Sequence, residues 1–100
     1  MSFTQIIEIE TDDIEAIERH VSNWHRSQSG IAPGYRRSRI LADGVQPGTY
    51  LIEVEFSSEQ DAAENDQRPE TNEWARNIRS LLKKKPSYRN LTEVRRTEGS

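Results

Sequence analysis

The sequence contains no cysteine among its 100 residues. That absence excludes a disulfide framework, a thiolate nucleophile and cysteine ligation of a metal. No apolar run approaches the roughly 20 residues that cross a bilayer, so we expect no association with a membrane. The first residues, Met1 to Thr4, show neither the charged nor the apolar segment of a secretory signal. The cytoplasm is therefore the expected compartment.

Apolar residues are scarce as well. Hydrophobic residues make up 32% of the sequence and charged residues 31%, which predicts a small core. A chain of this length is expected to form one domain, here residues 1–100, with a frayed tail at 97–100. A domain of this size buries only about two-thirds of its unfolded surface. A second copy would cover more apolar surface, so the composition favours a homodimer.

Positive charge is concentrated near the C-terminal end, although the net charge is −3. Residues 75–100 carry eight basic and two acidic groups. Such a run could attract an anion or a nucleic acid. These residues also end a predicted helix whose first half is acidic, an arrangement that suits the helix macrodipole. We therefore predict no nucleic-acid partner.

The first third of the chain predicts a strand followed by a helix. Isoleucines nearly alternate with polar residues over residues 4–11, which is a strand pattern. Asp12 or Asp13 offers an N-cap. The apolar stripe of the helix comprises Ile14, Ile17, Val21 and Trp24, at spacings of three or four. Glycine and proline between residues 27 and 34 end the helix.

The middle of the chain predicts an antiparallel hairpin. Its strands are residues 35–42 and 49–56, and the short loop between them carries two glycine-containing turn dipeptides. The expected register places Arg36 opposite Glu55 and Ser38 opposite Glu53. A one-residue bulge would change these pairs.

The last part of the chain predicts a broken helix and a fourth strand. A serine pair at 57–58 offers an N-cap. Pro69 has no backbone N–H and its ring clashes with the preceding turn, so it must interrupt the helix. We expect the helix to resume at Glu70 and to end at Pro86. Residues 88–96 then read as a strand.

The order of elements predicts an α+β fold, the ferredoxin-like β-α-β-β-α-β sandwich. Two helical segments would cover one face of a four-stranded sheet. The other face keeps apolar residues, and a large exposed apolar patch is unusual in a monomer. A second sheet laid face to face would cover it and produce a dimeric α/β barrel.

Four segments carry a family resemblance. They are Pro47-Gly48-x-Tyr50, Val54-Glu55-Phe56-x-Ser58, Pro69-Glu70-Thr71-x-x-Trp74-Ala75 and Tyr88-x-Asn90-Leu91. Together they resemble a family of small actinobacterial proteins in the dimeric α/β barrel superfamily, close to the antibiotic-biosynthesis-monooxygenase-like group. The family pattern has an aspartate after Asn-Leu, where this chain has Thr92. The subgroup itself has no characterised function, so the resemblance implies a fold without a reaction.

The wider superfamily implies two kinds of function. It includes cofactor-independent monooxygenases that act on aromatic, polyketide-type molecules, and members without known activity. The haem-degrading members share an asparagine on the first strand and a tryptophan and a histidine on the second helix. This chain has Gln5 and Trp74 at such places, but its histidines, His20 and His25, are both on the first helix and five residues apart. We therefore expect no haem, flavin or metal cofactor.

The predicted ligand site is a cleft next to the helix interruption. Its candidate residues are Trp74, Tyr50, Tyr88, Asn65 and His20. In one hypothesis Trp74 forms a wall of the cleft with Tyr50 or Tyr88 opposite, and a small aromatic molecule binds there. In the alternative Trp74 only fills the core, and His20 is half-buried beside the helix stripe. Both an oxygenase-like enzyme and a non-catalytic ligand-binding or accessory dimer remain open.

Overall fold

The computed structural model describes residues 2–99. The elements, in chain order, are β1 (Phe3–Glu10), α1 (Ile14–Gln28), β2 (Tyr35–Ala42), β3 (Thr49–Phe56), α2 (Glu59–Asp66), α3 (Pro69–Arg79) and β4 (Ser87–Thr92). The strands form one antiparallel sheet in the order β2-β3-β1-β4. This is the predicted ferredoxin-like α+β fold, which the structure confirms. No helix within residues 2–99 has the length and apolar character needed to cross a bilayer.

The helices cover one face of the sheet and define the core. Successive side chains of a strand point to opposite faces, so β1 and β3 each present alternate apolar residues to the helices. The main buried cluster comprises Ile7, Ile9, Ile17, Ile52 and Ile78, and a second cluster comprises Phe3, Phe56 and Ala62. Each fully buried isoleucine or phenylalanine contributes about 1.5–3 kcal/mol relative to exposure.

No helix of residues 2–99 packs against the opposite face of the sheet. Leu41 and Leu51 are paired across β2 and β3 on this face, and Leu91 on β4 is 44% exposed. Ion pairs across the same two strands join Arg37 to Glu55 and Arg39 to Glu53. This surface, the open sheet face, therefore combines apolar side chains with two cross-strand ion pairs.

The predicted register between β2 and β3 is wrong by one residue. Ala42 lies opposite Tyr50 and not opposite Thr49, so along the whole ladder Arg37 lies opposite Glu55 and Ser38 lies opposite Val54. Arg36 and Ser38 were expected to face Glu55 and Glu53. Ser38 points to the helix side of the sheet because it pairs with an inward-facing residue of β3. A bulge between Tyr35 and Arg37 then places Tyr35 opposite Phe56.

The helix interruption at Pro69 is confirmed. Asp66 ends α2, Pro69 is the first residue of α3, and Arg68 between them has an extended backbone with ψ 138°. Proline disfavours helical geometry at the preceding residue, yet it suits the first turn of a helix, where its missing N–H costs nothing. The break therefore follows directly from one residue.

Two predicted ends differ from the structure. Helix α3 ends at Arg79 and does not extend to Pro86, because Lys83 donates its backbone N–H to Glu10 and the Leu81 carbonyl accepts from Thr11. Strand β4 ends at Thr92 and not at residue 96. Thr92 is opposite Phe3, the first residue of β1, so the strand that pairs with β4 ends there.

Candidate functional site

A cavity lies between the sheet and the helices, beside the α2–α3 break. Its lining residues are Gln5, Ile7, Val21, Trp24, Ser38, Ile52, Val54, Phe56, Asn65, Thr71 and Trp74. The cavity has a volume of ≈ 40 Å³, well below the roughly 300–1,000 Å³ of pockets for drug-sized ligands. Aliphatic and aromatic side chains dominate it, and its four polar side chains are all uncharged.

The sheet forms the floor of this cavity, through one row of neighbouring residues across the four strands: Ser38, Val54, Gln5 and Asn90. Ser38 and Gln5 are both opposite Val54, and Gln5 is opposite Asn90 on the other side, so four strands contribute at one level. Gln5 donates to the Asn90 Oδ1 at 3.4 Å. The neighbouring levels contain isoleucine and phenylalanine, which fill the space beneath the helices. The side chains of Gln5 and Ser38 fill the space beneath the helices less completely, and their polar groups line the cavity.

The helix break provides the roof. Asn65 is in the last turn of α2, Thr71 is in the first turn of α3, and Trp74 follows one turn later. A continuous helix would place residues 65–74 on one rod along the sheet. Because the chain turns at Pro69, these three side chains converge on one space from two helices.

Two tryptophans form the aromatic part of the lining. The Trp74 indole donates its N–H to the backbone carbonyl of His20 at 3.2 Å, which fixes the ring between α1 and α3. Trp24 meets Tyr35 edge-to-face, with ring centroids 4.8 Å apart. The Trp24 N–H is buried and has no acceptor among residues 2–99. Unsatisfied donors of this kind are uncommon in a packed core.

Asn65 is held by a hydrogen-bonded network at the break. Its side-chain oxygen accepts from the Thr71 hydroxyl at 3.1 Å and from Arg68 Nη1 at 3.3 Å. Arg68 Nη2 also donates to Gln28 at 2.7 Å and to Glu70 at 3.0 Å. The network joins α1, α2 and α3 around the rim of the cavity.

A second, more open cleft adjoins the cavity. Gln5, Ile7, Thr71 and Trp74 line both spaces, and the cleft adds residues of α2, α3 and β4, namely Asp66, Asn72, Ala75, Tyr88 and Asn90. Partial burial raises the pKa of the Asp66 carboxyl above its ordinary value, and a hydrogen bond from Gln5 partly offsets the rise. Asp66 is therefore an ionisable group beside a hollow whose own lining is neutral.

The predicted site residues occupy different positions around these two spaces. Trp74 and Asn65 line the cavity, and Tyr88 lines the adjoining cleft. Tyr50 packs against the main core cluster, outside both linings, and the contact that His20 makes with Trp74 is through its backbone carbonyl. The other aromatic residues of the cavity lining are Trp24 and Phe56, and Tyr88 shares only the adjoining cleft with Trp74. Ligand binding by these residues stays a prediction.

Sequence reasoning missed Gln5 and Ser38 as cavity residues. Gln5 interrupts an otherwise apolar, inward-facing series on β1, and that irregularity was visible in the sequence. Ser38 had no such signal, because its face depends on the register of β2 against β3. No group of three or more histidine or carboxylate side chains within residues 2–99 has the geometry of a metal site.

Comparison with known proteins shows the fold. No family model and no curated protein matches the chain. A cofactor-independent oxygenase from Streptomyces nogalater, SnoaB, is 14% identical with a TM-score of 0.73, covering 96% of this chain and 95% of its own. A protein assigned to the antibiotic biosynthesis monooxygenases in Bordetella bronchiseptica is 16% identical with a TM-score of 0.78, covering 93% and 97%. Another such protein, from Nitrosomonas europaea, is 17% identical with a TM-score of 0.75, covering 97% of this chain and 94% of its own. The chain therefore shares the fold of the antibiotic biosynthesis monooxygenases over nearly its whole length.

Proposed function

We propose that the protein binds a small, uncharged aromatic molecule in the cavity between the sheet and the α2–α3 break. The observation that carries this proposal is the lining itself. Two indoles, Phe56 and four aliphatic residues surround the space, and four neutral polar side chains reach it from separate elements. An apolar hollow with a few convergent polar groups is the usual form of a small-molecule site.

The chemistry of the lining selects the kind of ligand. Aromatic side chains favour an aromatic guest through edge-to-face and offset stacking, worth about 0.5–1.5 kcal/mol per ring pair beyond burial of area. A charged guest would lose its hydration without meeting an opposite charge, and that loss is costly. The hollow is small, at ≈ 40 Å³, so a guest of one ring must also extend into the adjoining cleft or move lining side chains apart.

Trp74→Phe tests this proposal. The change removes part of an indole wall and the hydrogen bond to His20, so we expect weaker binding of acetophenone and related aromatics. Trp74 is half-buried, and a ring remains, so stability should fall by less than the about 3–5 kcal/mol of a full aromatic truncation. Titration calorimetry with purified protein measures the affinity, and thermal unfolding measures the stability.

Tyr50→Phe is the matched control for this experiment. Tyr50 packs against the same core but lies outside the cavity lining. Its replacement should leave the affinity for acetophenone unchanged. Equal affinities in all three proteins would mean that acetophenone does not bind against Trp74.

A second candidate function is oxygenation of the bound molecule without a cofactor, and Asp66 favours it. A carboxylate with a raised pKa is a better general base, because near neutral pH it holds the proton that it has removed more firmly. Removal of a proton from an acidic ring methylene would produce a carbanion that reacts with dioxygen. The methylene then becomes a carbonyl and the second oxygen atom leaves in water. SnoaB, a fold neighbour, is a cofactor-independent oxygenase.

Asp66→Asn tests the oxygenase candidate through pH dependence. The base works as the carboxylate, so oxygen consumption with an anthrone-type substrate should rise with pH, with an inflection above the ordinary aspartate pKa of about 3.9. The inflection should vanish in Asp66→Asn. Because the folded-state pKa is raised, Asp66 stabilises the fold only at low pH, and this contribution is lost as pH rises through the raised pKa. The variant should therefore not lose stability near neutral pH.

Asp12→Asn serves as the control, since Asp12 is a surface carboxylate that pairs with Lys83, away from the cavity. An unchanged pH profile in Asp66→Asn would exclude Asp66 as the base. No oxygen uptake at any pH by the parent protein would leave ligand binding as the function of the cavity.

A further inference from the structure

Arg68 connects three helices at the point where the chain breaks. Its backbone is extended because it precedes Pro69, and this directs the side chain along the gap between the helices. The guanidinium side chain is only 16% exposed. It donates to Gln28 at the end of α1, to Glu70 at the start of α3 and to Asn65 at the end of α2. With partners on all three helices, the group has little freedom to turn.

The contact with Arg68 determines which way the Asn65 amide faces. A guanidinium has only donors, so the atom it meets must be the amide oxygen and not the amide nitrogen. The Thr71 hydroxyl approaches the same oxygen at 3.1 Å. Both neighbours therefore stabilise one of the two amide orientations.

That orientation leaves the Asn65 N–H groups without a protein partner. Asn65 is 4% exposed and lines the cavity. Its side-chain nitrogen donates no hydrogen bond to any residue in 2–99, and this nitrogen remains accessible to a water molecule. In a residue this deeply buried, the accessible nitrogen faces the cavity. The Thr71 hydroxyl hydrogen and a Gln5 N–H are already donated to Asn65 and Asn90.

We propose that Arg68 is a positioning residue that holds the Asn65 amide with its N–H groups towards the cavity, so that the site selects aromatic ligands with a hydrogen-bond acceptor, such as aryl ketones. The inference rests on the proposed binding function and deepens it. A carbonyl oxygen placed beside Asn65 satisfies a buried donor, whereas a hydrocarbon of the same shape leaves it unsatisfied.

A matched pair of probes tests this selectivity. Acetophenone and α-methylstyrene have nearly the same planar shape, but the first has a carbonyl where the second has a methylene group. The parent protein should bind acetophenone about fivefold more tightly, the effect of one neutral hydrogen bond. In Arg68→Met the Asn65 amide is free to flip, so the preference should fall to about twofold or less. The affinity for α-methylstyrene should stay unchanged, because the apolar lining is intact.

Two further variants separate positioning from mere support of the fold. Arg68→Lys keeps one charged donor and should restore part of the preference for acetophenone, although it cannot donate in a fork. Arg19→Met removes an exposed arginine of α1 and should leave the preference as it is in the parent. If Arg68 only stabilises the fold, its replacement would weaken the binding of both probes equally and leave the ratio of the two affinities unchanged.

The NMR signal of the Asn65 side-chain amide provides a readout in the unmodified protein. Assigned by its loss in Asn65→Asp, it should move downfield with acetophenone and not with α-methylstyrene, even if Arg68→Met fails to fold. Binding of neither probe would overturn the proposed function and this inference with it. Equal binding of both probes to the parent, or an undiminished preference in Arg68→Met, would overturn the inference alone.

Discussion

Replacing Phe56 with alanine is expected to lower the free energy of unfolding by about 3–5 kcal/mol. Phe56 is 1% exposed and is the largest of the fully buried side chains. It packs with Phe3 and Ala62, and its ring lies 6.2 Å from that of Tyr35. Strand β3 is paired on both sides, so the backbone cannot easily move to close the space that the ring leaves. Chemical denaturation at one fixed protein concentration measures the change.

Ile31→Ala is the control for the truncation of Phe56. Ile31 is 65% exposed, so its loss should change stability by no more than about 0.5 kcal/mol. A similar, small effect for Phe56→Ala would show that the second core cluster is not packed as the structure has it.

We expect the parent protein to be a homodimer, and we expect Leu51→Glu to make it monomeric. Leu51 is on the central strand β3 of the open sheet face, paired with Leu41. Burial of an unpaired carboxylate there by a second sheet would cost several kcal/mol, enough to dissociate a dimer of ordinary affinity. Sedimentation equilibrium should give about twice 11.6 kDa for the parent and 11.6 kDa for the variant.

Val45→Glu is the matched control for this face. Val45 is 86% exposed in the loop between β2 and β3, so it tests the added charge without placing it on the open sheet face. The variant should remain dimeric. A parent protein that sediments as a folded monomer would contradict the dimer directly.

The fold was predictable because local signals and periodicity agree along most of the chain. Alternating isoleucines define β1, a spacing of three and four defines the inward face of α1, and Pro69 alone divides the second helical segment. The ends of α3 and β4 were not predictable in the same way. They depend on hydrogen bonds from Lys83 and Thr11 to distant parts of the chain and on the length of the partner strand.

The candidate site was predictable only in part. Trp74 and Asn65 flank a proline break, and such a break marks a gap in any helix that covers a sheet. The position of Ser38 depends on the register of β2 against β3, and a shift of one residue in that register leaves little trace in one sequence. The network around Arg68 joins residues 40 positions apart, a distance at which sequence patterns indicate no contact.

The same register explains why the charges of β2 were assigned to the wrong partners. Because Ala42 pairs with Tyr50 and not with Thr49, Arg37 and Arg39 take the places opposite Glu55 and Glu53. Their ion pairs lie on the open sheet face and not in the cavity. The neutrality of the cavity, on which the proposed ligand class depends, is thus a consequence of register.

Chemical-shift mapping by NMR with acetophenone tests the central claim most directly. The account predicts that the largest shifts occur at the backbone amides of Gln5, Ser38 and Thr71, the side-chain amide of Asn65 and the indole N–H groups of the two tryptophans. Amides on the open sheet face, such as that of Leu51, should barely move. Shifts confined to the open face, or no saturable shifts at the cavity residues, would contradict a ligand site between the sheet and the broken helix.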